Sequence, residues 1–468
     1  VSTLLASHLW GPLLVALEAV LALTTSLHAL VTKSDPRGAF GWIAVCLLFP
    51  LAGAVLYYIF GINRVQTRAK RLRDGKATTI PAMPAGSVVT ERSQLTHIGD
   101  AITQRPRLGG NAIEPLHNGE AAYPPMLEAI AAAQRRIWLA TYIFDTDRVG
   151  HRFIDALAAA QARGVEVRVL VDGIGELYGF PRAAALLRRR GVHAARFLPP
   201  RLMPPMLYLN LRNHRKLLLV DDTVGFTGGM NISARHVDEG RGRRVTDMHF
   251  RVRGPVLTQL AEAFVVDWHF VTGETLPMPQ AATEAGDSVC RVITDGPDED
   301  LDKLLLAIAG AISAARREVL IMTPYFIPSL DLMAVLQSAA LRGVAVTVVL
   351  PQRSDLRYVD WASRRWLGPL LERGVQVVLQ PPPFAHTKLF VVDGIYAQIG
   401  SANIDPRSLR LNFEIAVEIF DEQVCAILAQ HIETVRARSQ PVRLESLRSD
   451  SFPVRVRNGL SWLLSPYL

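Results

Sequence analysis

The chain has 468 residues, 49% of them apolar and 20% charged, which is enough to bury a large core and too apolar for a disordered or fibrous protein. A formal charge of +8 suits an anionic partner, but it does not choose between nucleic acid, an anionic membrane face and a phosphorylated substrate. Cys46, Cys290 and Cys425 are far apart, odd in number and without a C-x-x-C pair, so they point to neither a disulfide framework nor a zinc site.

Residues 9–31 are apolar apart from Glu18, His28 and a few hydroxyls, and residues 39–60 form a second run without any charge. Each run has roughly the 20 residues that a helix needs to cross a bilayer. The first lacks a basic n-region and the second follows closely, so the spacing predicts a transmembrane hairpin over 1–62 and not a cleaved signal peptide. The connector carries Lys33, Asp35 and Arg37, whereas the stretch after the second run carries Arg64, Arg68, Lys70, Arg71, Arg73 and Lys76 against Asp74. The positive-inside rule then places the rest of the chain in the cytoplasm. Residues 78–110, rich in Pro, Gly, Ser and Thr, read as an irregular lead-in, so that 63–110 is a basic segment and linker.

From residue 111 the chain reads as an α/β unit. A strand-like run at 137–144 precedes a helix-like stretch at 149–163, then Gly164 and a second strand at 165–171. The pattern returns at 319–326, and Arg163-Gly164-Val165 and Arg190-Gly191-Val192 have counterparts in Arg342-Gly343-Val344 and Arg373-Gly374-Val375. Self-similarity over roughly 180 residues predicts a duplicated domain with a pseudo-twofold axis, since a solenoid repeats over a far shorter span.

Each copy holds the same polar pattern. His214-Arg215-Lys216 leads an apolar run that ends at Asp221, and His386-Thr387-Lys388 leads one that ends at Asp393. Asn231 and Asn403 each follow their histidine by seventeen residues. In an extended segment, residues two apart project to one side, so each copy offers an imidazole beside an ammonium. Across a twofold axis these make a cleft fit for a phosphodiester. One histidine attacks phosphorus, the other protonates the departing oxygen and activates the acceptor, and the lysines and asparagines hold the non-bridging oxygens. This division of labour needs no metal or other cofactor. Asp247 and Glu414, downstream of the two motifs, are candidates to orient the rings, while Asp221 and Asp393 at the strand ends suit anchoring by hydrogen bonds.

These paired motifs resemble the HKD motifs of the phospholipase D superfamily, and the chain from about residue 111 onward resembles the bacterial cardiolipin synthases. Asn213-His214-Arg215-Lys216, Gly228-Gly229-Met230-Asn231, Thr323-Pro324-Tyr325-Phe326, Gly400-Ser401-Ala402-Asn403 and Leu411-Asn412-Phe413-Glu414 carry the narrower likeness. One departure is Val245-Thr246 before Asp247, where these synthases commonly have an aromatic residue and an arginine. The resemblance implies an α/β fold of two duplicated domains, each a mixed sheet flanked by helices, at 111–285 and 286–440, with an interfacial tail at 441–468. It also implies His214, Lys216, Asp221, His386, Lys388 and Asp393 as the catalytic set, with His214 and His386 as nucleophile and general acid/base in an order the resemblance leaves open, supported by Asn231, Asp247, Asn403 and Glu414. The implied reaction, in the bacterial inner membrane, moves a phosphatidyl group between two molecules of phosphatidylglycerol, giving cardiolipin and glycerol.

Hydrolysis to phosphatidic acid is the nearest rival, because only the acceptor differs. The hairpin, and the lack of a basic-aromatic stripe, argue against nucleic acid as partner. A non-catalytic scaffold predicts degraded motifs, and both copies are complete.

Overall fold

The structure, a computed structural model, describes residues 2–33, 36–61, 94–200, 211–238, 244–279, 282–297 and 302–465. The chain forms two units, Val1–Arg71 and Leu72–Leu468. The basic segment 64–76 lies outside the described residues.

In the first unit a helix spans Ser2–Thr32, and its part Gly11–Thr32 is long and apolar enough to cross a membrane. The second apolar run is not one helix as expected: it is broken into Pro36–Leu48 and Pro50–Leu56. Pro50 cannot donate a backbone hydrogen bond, and Phe49 before it takes a non-helical conformation (φ −131°). The pieces pack on the first helix around Ala29, Cys46 and Tyr57, with the Tyr57 hydroxyl 2.8 Å from His28 Nδ1.

The second unit begins earlier than its composition suggested. Leu95, Ile98 and Ile102 fall on one side of a helix at Gln94–Thr103, and Ile98 packs on Gly310 of the helix Lys303–Ala314, so the irregular lead-in does not extend to residue 110. The first half then contributes β1 (Leu108–His117), β2 (Arg136–Thr141), β3 (Glu166–Asp172), β4 (His193–Phe197), β5 (Leu217–Val220), β6 (Val224–Gly228), a short β7 (Val245–Thr246) and β8 (Met248–Arg253). The second half contributes β9 (Ser288–Asp295), β10 (Glu318–Met322), β11 (Ala345–Pro351), β12 (Gln376–Gln380), a short β13 (Phe384–Ala385), β14 (Leu389–Val392), β15 (Tyr396–Gly400) and β16 (Glu414–Phe420), followed by β17 (Gln440–Pro441).

All but β7 and β13 join one mixed sheet in the order 17-12-11-10-14-15-16-9-1-8-6-5-2-3-4. Read outward from the antiparallel pair β9 and β1, the two arms run alike through antiparallel strands and then three parallel ones, and β17 adds an antiparallel edge to the second arm alone. The parallel strands are linked by helices, as β-α-β crossovers require. The repeated Arg-Gly-Val triplets are the stops of such helices, with Gly164 and Gly343 in the left-handed region (φ +90° and +88°). Each arm has its own core. Val167 and Val169 pack with Phe153 and Leu157 in the first, and Val346 and Val348 with Leu332 and Leu336 in the second.

Candidate active site

The paired histidines lie just ahead of β5 and β14, where the chain crosses from one arm to the other. His214 N donates to Phe413 O at 2.9 Å, and His386 N donates to Thr246 O at 2.7 Å. The short strands β7 and β13 pair in parallel, matching Val245 with Phe384 and Thr246 with Ala385. Each motif is therefore strung beside the segment that carries the other half's carboxylate.

The result is an exchange of partners. Glu414 of the second half holds His214 Nδ1 at 2.9 Å, and Asp247 of the first half holds His386 Nδ1 at 2.9 Å. Both carboxylates are buried. With Nδ1 donating to a carboxylate, Nε2 of each ring is left to the cleft. The two backings differ in detail. Glu414 also accepts from Ser401 Oγ and from Asn412 Nδ2 at 3.1 Å. The matching position in the first half is Gly229, where a Cβ would come within 2.5 Å of the Asp247 carboxylate.

Burial sets the proton affinities. It pushes His214 down to about 4, against the pull of Glu414, and it takes His386 well below its usual value with help from the Lys388 and Lys216 ammoniums. Burial also opposes ionisation of Glu414, but His214, Lys216 and Ser401 outweigh it and hold that carboxyl below its ordinary value. At Asp247 burial wins over Lys388 and His236, and the carboxyl is raised. The lysines are buried as well: Lys216 is lowered to about 7 and Lys388 to about 8. Each donates to the backbone carbonyl of its own histidine at 2.6 Å, and Lys388 Nζ lies 3.2 Å from His386 Nε2.

Both rings open on one cleft of about 270 Å³, lined also by Asn231, Asn403, Tyr142 and Tyr325. The rings of Tyr142 and Tyr325 stand edge-on to His214 and His386 at 5.1 and 6.2 Å. Asn231 Oδ1 accepts from Ile143 N at 3.1 Å, whereas Asn403 Oδ1 is buried with no hydrogen-bond donor among the described residues. Asp221 and Asp393 stand apart from the cleft. Asp221 accepts backbone hydrogens from Gln134, Arg135 and Arg136 at 2.7 to 2.9 Å, and Asp393 does the same with Arg316, Arg317 and Glu318. They clamp the loops that start β2 and β10.

Several cleft residues escaped the sequence reading, Tyr142, Arg235 and Arg407 among them. Arg235 and Arg407 both line the wall, four residues after Asn231 and Asn403 respectively, and that shared offset was the signal that marks them. The first motif is also tied down more firmly. Arg215 donates to Glu414 O at 3.0 Å and pairs with Asp267 at 2.8 Å, and Arg212 pairs with buried Asp172.

A duplicated α/β sheet that brings two imidazoles, each with a borrowed carboxylate, onto one small polar cleft defines the phospholipase D class. The profile of the family "Cardiolipin synthase, PLD-like domain" matches residues 126–268 and 308–436, and that of "Phospholipase_D-nuclease N-terminal" matches 20–61. Cardiolipin synthase A of Pseudomonas aeruginosa is 32% identical over 476 residues, covering 98% of this chain and 96% of the relative. A cardiolipin synthase of Geobacillus thermodenitrificans is 32% identical over 450 residues, covering 92% and 89%. The crystal structure of phosphatidylserine synthase from Haemophilus influenzae shares the fold with a TM-score of 0.64 at 15% identity, over 80% of this chain and 100% of that one. The chain belongs to the cardiolipin synthase family, phosphatidyltransferases of the phospholipase D type.

Proposed function

We propose that the chain transfers a phosphatidyl group from one phosphatidylglycerol to a hydroxyl of a second, releasing glycerol and forming cardiolipin. The observation that carries this reading is the pair of carboxylate-backed imidazoles on a single cleft. Nε2 of His214 attacks phosphorus and forms the phosphohistidine, with Glu414 stabilising the positive charge that grows on the ring. Glu414 suits that task because four polar neighbours keep it ionised. His386 protonates the departing glycerol oxygen and then takes the proton of the incoming hydroxyl, held by Asp247. In the free protein both rings are kept neutral, and a phosphodiester anion between them raises the affinity of His386 for its proton. Lys216, Lys388, Asn231 and Asn403 hold the non-bridging oxygens, and Arg235 and Arg407 receive the phosphate of the second lipid. Asp221 and Asp393 serve by fixing the motif strands.

The same reading takes the N-terminal unit as a two-span hairpin, the shorter span kinked at Pro50, in the bacterial inner membrane, with the two catalytic domains (111–285 and 286–440) cytoplasmic. The tail from 441 fits an interfacial role. Its helix Phe452–Leu463 packs on the helix Arg357–Leu371 through Trp462 against Trp366 and Arg457 over Trp361. Phe452, Val456, Leu460 and Leu463 remain exposed along its other side.

The test is purified enzyme with labelled phosphatidylglycerol in vesicles and products separated by mass. Cardiolipin with an equivalent of glycerol is expected, and phosphatidic acid as main product would transfer the assignment to a hydrolase. Turnover is expected to survive a chelator, since lysines and asparagines supply the charge stabilisation. The pH profile of kcat, set in the complex where the bound phosphodiester keeps the His386 proton in place, follows from the shifted groups. It rises as pH climbs through about 4, where His214 becomes a free base, and it falls through about 7 to 8 as Lys216 and then Lys388 lose their charge. Lys216→Arg, which keeps the cation, is expected to carry the alkaline limb to higher pH; an unmoved limb would acquit the lysine.

A further inference from the structure

The segments leaving the C-terminal ends of β3 and β11 are counterparts in the two arms, and they form opposite lips of the cleft: Tyr178 lines it from one, and Asp355 and Leu356 with Tyr358 in the first turn of the following helix from the other. The first lip is pinned from below. Glu176, 1% exposed, accepts from Ala184 N at 3.1 Å and pairs with Arg196 at 2.6 Å. A Cβ on Gly175 would fall within 1.8 Å of Tyr142 O, so the turn sits directly on the cleft wall. On this fixed base Leu177, Tyr178 and Phe180 are 47%, 59% and 93% exposed, and exposed Pro181 and Arg182 follow. The second lip exposes Arg353, Arg357 and Tyr358.

A soluble face seldom holds three large apolar side chains in four residues at the mouth of a polar site. Aromatic tips beside arginines match the boundary between acyl chains and anionic headgroups, where an amphipathic ring is favoured and guanidinium groups meet phosphates. We propose that the first lip inserts Leu177, Tyr178 and Phe180 into a leaflet carrying anionic phospholipid, while Arg182, Arg353 and Arg357 engage headgroup phosphates, so that the cleft opens directly onto the bilayer. This rests on the reading that both substrates are bilayer lipids. It adds where the lipids enter: the headgroup passes between the lips and the acyl chains stay in the leaflet.

The three native cysteines are buried, so a cysteine introduced at the surface can be labelled selectively. Full-length Phe180→Cys and Leu341→Cys proteins, each carrying an environment-sensitive fluorophore, are reconstituted in phosphatidylglycerol vesicles. Leu341 is also exposed but ends the helix that precedes β11, at the far end of that strand from the second lip, about 20 Å away. The label at 180 is expected to shift to the blue and to be quenched by a nitroxide lipid labelled near its headgroup, and the label at 341 by aqueous iodide alone. Equal behaviour of the two labels overturns the proposal. So does a label at 180 shielded from both quenchers, which assigns the lip to a second copy of the chain. In a companion assay, Leu177→Asp/Phe180→Asp is expected to turn over vesicle-borne phosphatidylglycerol about tenfold more slowly while matching the parent on a short-chain analogue dissolved as monomer. Equal loss on both substrates marks a damaged cleft and overturns it. If the parent protein transfers neither lipid, the functional reading fails, and the quenching data still decide the docking.

Discussion

With a phosphatidyl donor whose leaving group is p-nitrophenol, a His386→Asn enzyme is expected to release one equivalent of nitrophenolate in a burst and then stall with the lipid phosphate bonded to it. The His214→Asn enzyme is expected to release none. Nitrophenolate departs without a proton, so the donor bypasses the first duty of the general acid and leaves only the nucleophile's work to be done. His214 is the better nucleophile on two grounds: its Nδ1 partner Glu414 is kept ionised, and its backbone is held by Arg212 and Arg215. On phosphatidylglycerol both variants are expected to lose about three orders of magnitude in turnover, because each removes a chemical role. Mass spectrometry of the stalled protein locates the adduct. A burst from His214→Asn, with none from His386→Asn, would reverse the order of the two rings.

The second large effect crosses the halves. Glu414→Gln is expected to behave as a weakened His214 variant, slowing the nitrophenolate burst by about a hundred- to a thousandfold, although 200 residues separate the two positions in the chain. Asp247→Asn is expected to leave the burst and slow the steps after it, following His386 at 139 residues' distance. An amide can still accept the Nδ1 hydrogen but cannot balance a cationic ring, so the rings stay in place while charge stabilisation is lost. If each variant instead copied the histidine of its own half, the exchange of partners would not operate in the working enzyme.

Much of this site was legible in the sequence because two copies repeat it. A lone His-x-Lys before an apolar run carries little weight, but the same offsets to lysine, aspartate and asparagine in both copies mark matching positions in one architecture. The carboxylates were legible as candidates and illegible as partners. Asp247 and Glu414 each follow their own motif, and only the backbone pairing of Asn213 with Phe413 and of Ala385 with Thr246 hands each to the other half. Local pattern does not encode which arm a crossing segment lies against. The misjudged N-terminal elements are of another kind. Phe49-Pro50 was a readable helix break inside a uniformly apolar run, where hydropathy masked it. The helix at Gln94–Thr103 is too short for its apolar spacing to stand out from a Pro- and Gly-rich surround, and it is held by packing on Gly310 and beside Arg291.

The seam between β1 and β9 governs how such an enzyme breathes. Those two strands meet at the centre of a single fifteen-stranded sheet through an irregular register that matches Leu108 with Cys290 and Asn111 with Ser288, so the halves share one sheet where a two-domain enzyme usually keeps a joint. Spreading the arms to admit a lipid would tear the ladder at its middle. Moving the arms apart therefore costs sheet hydrogen bonds, whereas passing a headgroup between the lips costs none. On the proposed entry route, passage is set by the lips and by lateral diffusion in the leaflet.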